Sequence, residues 1–221
     1  MPTALVVPVI TTFTQADGAL ASGWTASPFN SSAPMPGVLS NQWCVPAATL
    51  SYCDAWWTAA QFGPAVQVGF DIATISVDPA FEIYVGFRIQ QPSGASSTGD
   101  GYVVEYVTNG TEINLYRQDN ATQTLIGNTS GLTKPSSGDG LRFDMVGNQM
   151  QAYRRVSGVW APYGTPLSDP ASTYMGAGFI SLGGYEDARS MRLDNLAAGT
   201  IPSTGAGMGS TARALHRRRR R

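Results

Sequence analysis

The chemistry open to this chain is limited first by what it lacks. Its single histidine is His216, near the end of 221 residues, so nothing before it can supply an imidazole. That excludes Ser-His-Asp and Cys-His nucleophilic catalysis, histidine acid–base work and imidazole metal sites in the body of the chain. The two cysteines, Cys44 and Cys53, are too few for a metal cluster. They flank a Pro-containing turn and form either a disulfide across a small hairpin or two buried thiols. What remains is recognition by planar rings and hydrogen-bonding groups. Two aromatic–cation pairs, Tyr102 with Arg117 and Tyr153 with Arg142, have the ring-plus-donor character that stacks on sugars and reads hydroxyls. The alternative is that such pairs simply cover a sheet face, as aromatic and long side chains do.

Those pairs depend on hairpins that the sequence specifies. In Gly138–Trp160, the strand-like runs 141–146 and 149–156 are separated by Gly147-Asn148, a pair that tolerates tight hairpin turns. A two-residue loop sets Met145 against Met150, Phe143 against Ala152 and Leu141 against Arg154. Arg142, Asp144, Gln149, Gln151 and Tyr153 then share the opposite face, and a one-residue slip would mix the faces. Registering on Asn109-Gly110 likewise sets Tyr106 against Ile113, Val104 against Leu115 and Tyr102 against Arg117. Val66–Ile72 alternates, with a parity flip that predicts a bulge near Ala73–Thr74. Phe81–Ile89 alternates strictly against Glu82, Tyr84, Gly86, Arg88 and Gln90, as a half-buried strand does. Residues 123–128, 179–182 and 191–196 complete the strand signals, while 21–42 read as irregular. No helical periodicity of useful length is present. The expectation is an all-β, antiparallel two-sheet sandwich of about a dozen short strands.

Hydrophobic residues make up 43% of the chain and charged residues only 13%, so Ser, Thr, Asn, Gln and Gly must supply much of the solvent face. The net charge of −1 conceals a division. All 15 acidic residues lie at or before Asp194 with eight of the 14 Lys and Arg, leaving the body near −7. Arg213 and Arg217, Arg218, Arg219, Arg220 and Arg221 give the end of the chain +6. An acidic body disfavours nucleic acid as its partner, so that contact is expected only through the arginines. The expected organisation is an N-terminal arm over 1–12, a sandwich over 13–199, and a Gly/Ser/Thr linker with an irregular basic tail over 200–221. The N-terminal MPTALVVPVI lacks a basic region and is interrupted by Pro2 and Pro8, so neither export by a signal peptide nor membrane insertion is expected. Four Asn-x-Ser/Thr sequons, at Asn30, Asn109, Asn120 and Asn128, are read as coincidences of composition.

From Phe13 to Gly199 the chain resembles laminin-G/concanavalin-A-like jelly rolls, in the variety carried by virion proteins of tailed bacteriophages. The matching stretches are FTQADGALASGWT, VGFRIQ, DGYVVEYV, EINLYR, GDGLRFDMVGNQMQAYRRVSGVW, GAGFISLG and RLDNLAAG. The resemblance implies a non-enzymatic minor tail or head-decoration protein, assembled in the host cytoplasm and located in the virion. Its partners would be capsid or tail subunits and further copies of itself, with the arginine tail as an anchor. The other reading that this fold carries is a lectin-like module binding host-surface polysaccharide. Glycosidases of this class place carboxylates as Glu-x-Asp-x-Glu on one strand. This sequence has no such triplet: Glu186 and Asp187 are adjacent, and Glu105 and Asp119 stand alone, Glu105 being read as solvent-facing. No cofactor is required. The resemblance also allows Ca2+, for which Asp17 would have to meet Asp194 and Asn195 at the sandwich edge, although Asp17-Gly18 reads equally as a plain turn.

Overall fold

The computed structural model describes residues 7–26, 34–46, 51–77, 80–90, 99–107, 111–120, 122–186 and 190–202. The chain order is β1 (Val9–Thr11), β2 (Gly18–Ala19), β3 (Trp24–Ala26), β4 (Gly37–Leu39), β5 (Gln42–Cys44), β6 (Ser51–Phe62), β7 (Val66–Thr74), β8 (Glu82–Ile89) and β9 (Gly101–Val107). It continues with β10 (Glu112–Asp119), β11 (Thr122–Thr129), β12 (Gly140–Val146), β13 (Gln149–Val156), β14 (Val159–Pro162), β15 (Leu167–Ser168), β16 (Gly178–Glu186) and β17 (Arg192–Thr200). All pairings are antiparallel, and they form two sheets. Ten strands make the first, with main order β14-β13-β12-β7-β17-β5-β4-β2; β1 pairs with β17 and β15 with β13. Seven make the second, in the order β11-β10-β9-β8-β16-β6-β3. The architecture is the all-β, antiparallel two-sheet sandwich that the alternation predicts, in the jelly-roll form that the resemblance implies.

The hairpin β12–β13 has the register set by its turn: Met145 opposes Met150, Phe143 opposes Ala152 and Leu141 opposes Arg154. Gly147, at φ 57°, supplies the left-handed conformation that a two-residue hairpin loop requires. Leu141, Phe143 and Met145 are buried against the inner face of the other sheet, where Ile83, Val85 and Phe87 of β8 point back at them. Complete burial of each such side chain contributes roughly 1.5–3 kcal/mol. The β9–β10 register is also as expected, with Tyr106 against Ile113 and Tyr102 against Arg117, although Asn109-Gly110 lies outside the described residues. The parity flip after Ile72 is real: β17 pairs Leu193 with Ile72 but Arg192 with Thr74, leaving Ala73 as the extra residue of a bulge.

Several strands carried no readable pattern. β6 is twelve residues long, yet Asp54 and Trp56 on its outer parity are as buried as Cys53 and Ala55 on its inner one. Without contrast between faces, alternation gives no signal. β3 and β4 fall within residues expected to be irregular, and β1, expected in an arm, adds a strand beside β17 through Val9 and Ala197. Cys44 ends β5 in the larger sheet and Cys53 lies in β6 of the smaller one. Both are buried thiols, so they do not close a common hairpin.

Arg88 departs from the alternation. Its sequence parity puts it with Glu82 and Tyr84 on the polar side of β8, yet it is 1% exposed. A register irregularity between β8 and β16, with Arg88 at φ 51°, turns the side chain toward the end of the core. There its guanidinium donates to the carbonyls of Gly147 (2.7 Å), Tyr174 (2.8 Å), Met145 (3.4 Å) and Pro64. Arg88 thereby ties the seven-stranded sheet to the β12–β13 turn and to the β6–β7 turn.

Candidate functional site

The outer face of the seven-stranded sheet carries a cluster of described polar and aromatic side chains. On β8, Ile83, Val85 and Phe87 face inward, so Glu82 and Tyr84 must face outward; the same parity turns Glu105 on β9 and Glu112, Asn114 and Tyr116 on β10 to the outer face. Cross-strand pairing arranges them in rows. One row runs Asn114–Glu105–Tyr84–Gly183–Asp54 and the next Glu112–Val107–Glu82–Tyr185–Tyr52. A third begins with Tyr116 beside Val103. Gly183 has no side chain because none fits: a Cβ there would stand 2.5 Å from the Cys53 carbonyl oxygen. The gap lets Tyr52 and Tyr84 meet edge to face across it, with centroids 5.1 Å apart.

The centre of the face is rich in acceptors. Glu105 Oε2 accepts from Asn114 Nδ2 at 2.9 Å and from the Tyr116 hydroxyl at 3.1 Å, while Glu112 Oε1 accepts from the same Asn114 nitrogen at 3.3 Å. Asn114 is 5% exposed, and its Oδ1 is buried without a hydrogen-bond partner. Tyr84 donates to Glu82. Burial, with the hydrogen bond to Glu82 and the negative charges of Glu82 and Glu105, pushes the Tyr84 phenol far up. Burial and Glu105 likewise push Tyr116 up to about 12. Both phenols are therefore fixed as protonated donors. Their neighbours Glu105, Glu112 and the Asn114 oxygen can receive hydrogen bonds from hydroxyl, ammonium or guanidinium groups. Half-exposed rings beside clustered acceptors suit a polyol or a cation.

The residues singled out in the sequence fall elsewhere. Tyr153 and Arg142 do meet, on the outer face of the ten-stranded sheet, with the guanidinium 3.9 Å from the ring centroid. Arg142 is only 2% exposed, however, and its Nη2 is held by Asp144 at 3.1 Å, so little of it is open to a ligand. Tyr102 and Arg117 are adjacent as expected, but Tyr102 faces the core and is fully buried. Its hydroxyl donates to Asp169 at 2.7 Å, and Arg117 reaches Asp119 at 2.7 Å and Asp169 at 3.5 Å. The stacking role expected of that pair is corrected by its parity: it braces the 169–174 segment inside the sandwich. Asp17 does not meet Asp194 and Asn195. Asp17 accepts from the Ser40 amide at 2.7 Å beside β2 and β4, whereas Asn195 donates to Asp71 at 2.9 Å on β17 and β7. Among the described residues no group of three acidic, histidine or cysteine side chains could hold a metal ion. Arg213 and Arg217–Arg221 lie outside the described residues.

Glu105 was expected to stand alone, but the fold gives it company. The β9–β10 register that pairs Tyr106 with Ile113 also pairs Glu105 with Asn114, so half of the site was readable by following the outer parity. Tyr84 and Glu82 join through the β8–β9 pairing across residues 90–100, and Tyr52 and Tyr185 through β6 and β16. Those pairings are non-local, and no turn signal announces them.

No protein-family model matches the sequence, and no curated protein does. Solved structures do match. The carbohydrate binding module CBM66 from Bacillus subtilis superposes with a TM-score of 0.56 at 13% identity, over 80% of this chain and 95% of that one. A legume lectin-like domain from Entamoeba histolytica gives 0.54 at 11%, over 81% and 91%. The exoplasmic/lumenal domain of VIP36, in its Ca2+/Man3GlcNAc-bound form, gives 0.57 at 10%, over 83% and 86%. At such identities the likeness is one of fold, and the fold is a lectin-like jelly-roll β-sandwich.

Proposed function

We propose that this chain is a non-enzymatic carbohydrate-binding module whose sugar site is the outer face of the seven-stranded sheet. The observation that carries the reading is the set Tyr84, Tyr116, Glu105, Glu112 and Asn114: rings and hydrogen-bond acceptors gathered on adjacent strands of one half-exposed face. Sugar hydroxyls would donate to the carboxylates and the Asn114 oxygen, and a pyranose face would pack on tyrosine. The names of the solved structures it resembles support a polysaccharide or glycan ligand, because all three are carbohydrate-binding modules, lectin-like domains or sugar complexes. The test is a glycan array followed by calorimetry, each with and without Ca2+, and a reducing-end assay on any ligand found. Binding that Tyr84→Ala and Tyr116→Ala abolish supports the site. Binding that survives both changes moves it elsewhere, and release of new reducing ends contradicts the non-enzymatic reading.

A second reading is favoured by the motif resemblance to phage jelly-roll proteins and by the charge division between body and tail. In it the module is displayed on a virion, and the arginine segment docks it to neighbouring subunits. Mass spectrometry of purified particles, made with the native chain or with Arg213 and Arg217–Arg221 changed to Ser, tests it. Incorporation indifferent to that change refutes the anchor.

A further inference from the structure

The two outer faces of the sandwich are built from the same parts, with one difference. On the ten-stranded sheet, guanidinium groups lie between an aromatic ring and a carboxylate. Arg142 is 3.9 Å from the Tyr153 centroid and 3.1 Å from Asp144, and Arg155 is 5.4 Å from the Trp160 centroid and 2.9 Å from Asp71. On the seven-stranded sheet the rings and carboxylates recur as Tyr84, Tyr116, Glu105 and Glu112. Among the described residues, neither Glu105 nor Glu112 has an ion pair. A buried Asn114 oxygen beside them has no donor. Among the described residues, that face has the acceptors and rings for arginine without the arginine.

The chain carries the missing component. Its segment Ser210–Arg221 holds six arginines and no acidic residue, against a body near −7. We propose that this segment seats its guanidinium groups on Glu105 and Glu112, against Tyr84 and Tyr116, within the same chain. Arginine suits this face better than a generic cation does, because its planar fork pairs with carboxylates and stacks on phenol rings. The reach is sufficient. Thr200 contacts Gly63 at 2.6 Å, and the next residue, Pro64, accepts a hydrogen bond from Arg88. From Arg88 to Tyr84 is four residues of β8, about 13 Å of strand. Another ~10 Å crosses one sheet layer. The sixteen residues from Pro202 to Arg217 span about 22 Å as a random coil and up to ~50 Å when extended. The seat stands on charge and geometry alone; where the glycan reading also holds, the segment competes for the sugar face.

The test needs no sugar, so its failure and that of the glycan reading are separable. A fluorescent peptide of residues 210–221 is titrated into three full-length proteins: the native chain, a variant with Arg213 and Arg217–Arg221 changed to Ser, and that variant carrying Glu105→Gln and Glu112→Gln. The Arg→Ser chain should bind the peptide at least tenfold tighter than the native chain, whose own segment already occupies the face. The two Glu→Gln changes, which preserve shape and one acceptor oxygen each, should then weaken binding at least tenfold, and 0.5 M salt should weaken it further. Equal binding by native and Arg→Ser chains overturns the proposal, as does binding indifferent to the Glu→Gln pair. Light scattering completes the test. A native dimer that dissolves in the Arg→Ser variant overturns the intramolecular seat, and a monomer in both supports it.

Discussion

Replacing Arg88 tests how the two sheets are held at their shared end. The side chain is 1% exposed, and it donates to four carbonyls from three places in the chain and to the Met175 sulfur. Burial lowers its pKa, and among the described residues no carboxylate acts on it to restore the charge. In Arg88→Met the chain recovers the cost of burying a charge, but it strands the Gly147 and Tyr174 carbonyls, whose bonds are the well-made ones at 2.7 and 2.8 Å. Leaving a buried acceptor unpaired costs about 1–3 kcal/mol, and two are stranded here. We therefore expect a loss of about 2–6 kcal/mol. At about 2–4 °C per kcal/mol for a domain of this size, Tm falls by roughly 4–24 °C. Arg88→Lys keeps the charge but reaches fewer carbonyls, so it should fall between. Calorimetric melts and urea titrations of the three proteins measure this directly. An Arg88→Met protein as stable as the native one would refute the reasoning: desolvation of the guanidinium would then outweigh its carbonyl bonds, and the end of the sandwich would be held by apolar packing alone.

Three further outcomes follow from the same geometry. Glu105→Gln should lower the Tyr116 pKa from about 12 toward its ordinary value near 10, since it removes a negative charge and leaves burial in place; ultraviolet difference titration reads the shift, and an unchanged midpoint would mean Glu105 does not act on that phenol. Burial alone would raise the Asp169 carboxyl, but hydrogen bonds from Tyr102 and from the Thr173 and Ala171 amides hold it below the usual range. Its stabilisation is therefore complete above the unfolded value of about 3.9 and lost as pH falls through the folded one, so Asp169→Asn should flatten the acid limb of stability against pH and lower stability at pH 7. Gly183→Ala should cost about 1–3 kcal/mol, because the added carbon would stand 2.5 Å from the Cys53 carbonyl between β6 and β16, and a melt at native Tm would contradict that contact.

What was legible in the sequence is what short-range geometry controls. Gly147-Asn148 fixes the β12–β13 register, and the inward residues of β8 and β9 announce themselves by contrast with polar neighbours. Where that contrast disappears, so does the signal. β6 buries Trp56 and Asp54 outward and Cys53 and Ala55 inward, so its twelve residues carry no alternation to read. Arg88 misleads for a related reason: an irregular register breaks parity at one residue, and nothing in VGFRIQ marks the place.

The same limit explains why the candidate site was half visible. An aromatic next to an arginine attracts attention in a sequence, but on this fold such pairs are already satisfied. Arg142 is sealed by Asp144 and Tyr153, and Tyr102 by Asp169. A pair that completes itself has little left to offer a ligand. Glu105, Glu112 and Asn114 are ordinary one by one, and they become distinctive only because antiparallel pairing concentrates acceptors where no described cation answers them. In a body near −7 whose described Arg142 and Arg155 serve the other face and Arg88 the core, the place to seek a partner is where the carboxylates are left over. That place is the outer face of β8, β9 and β10.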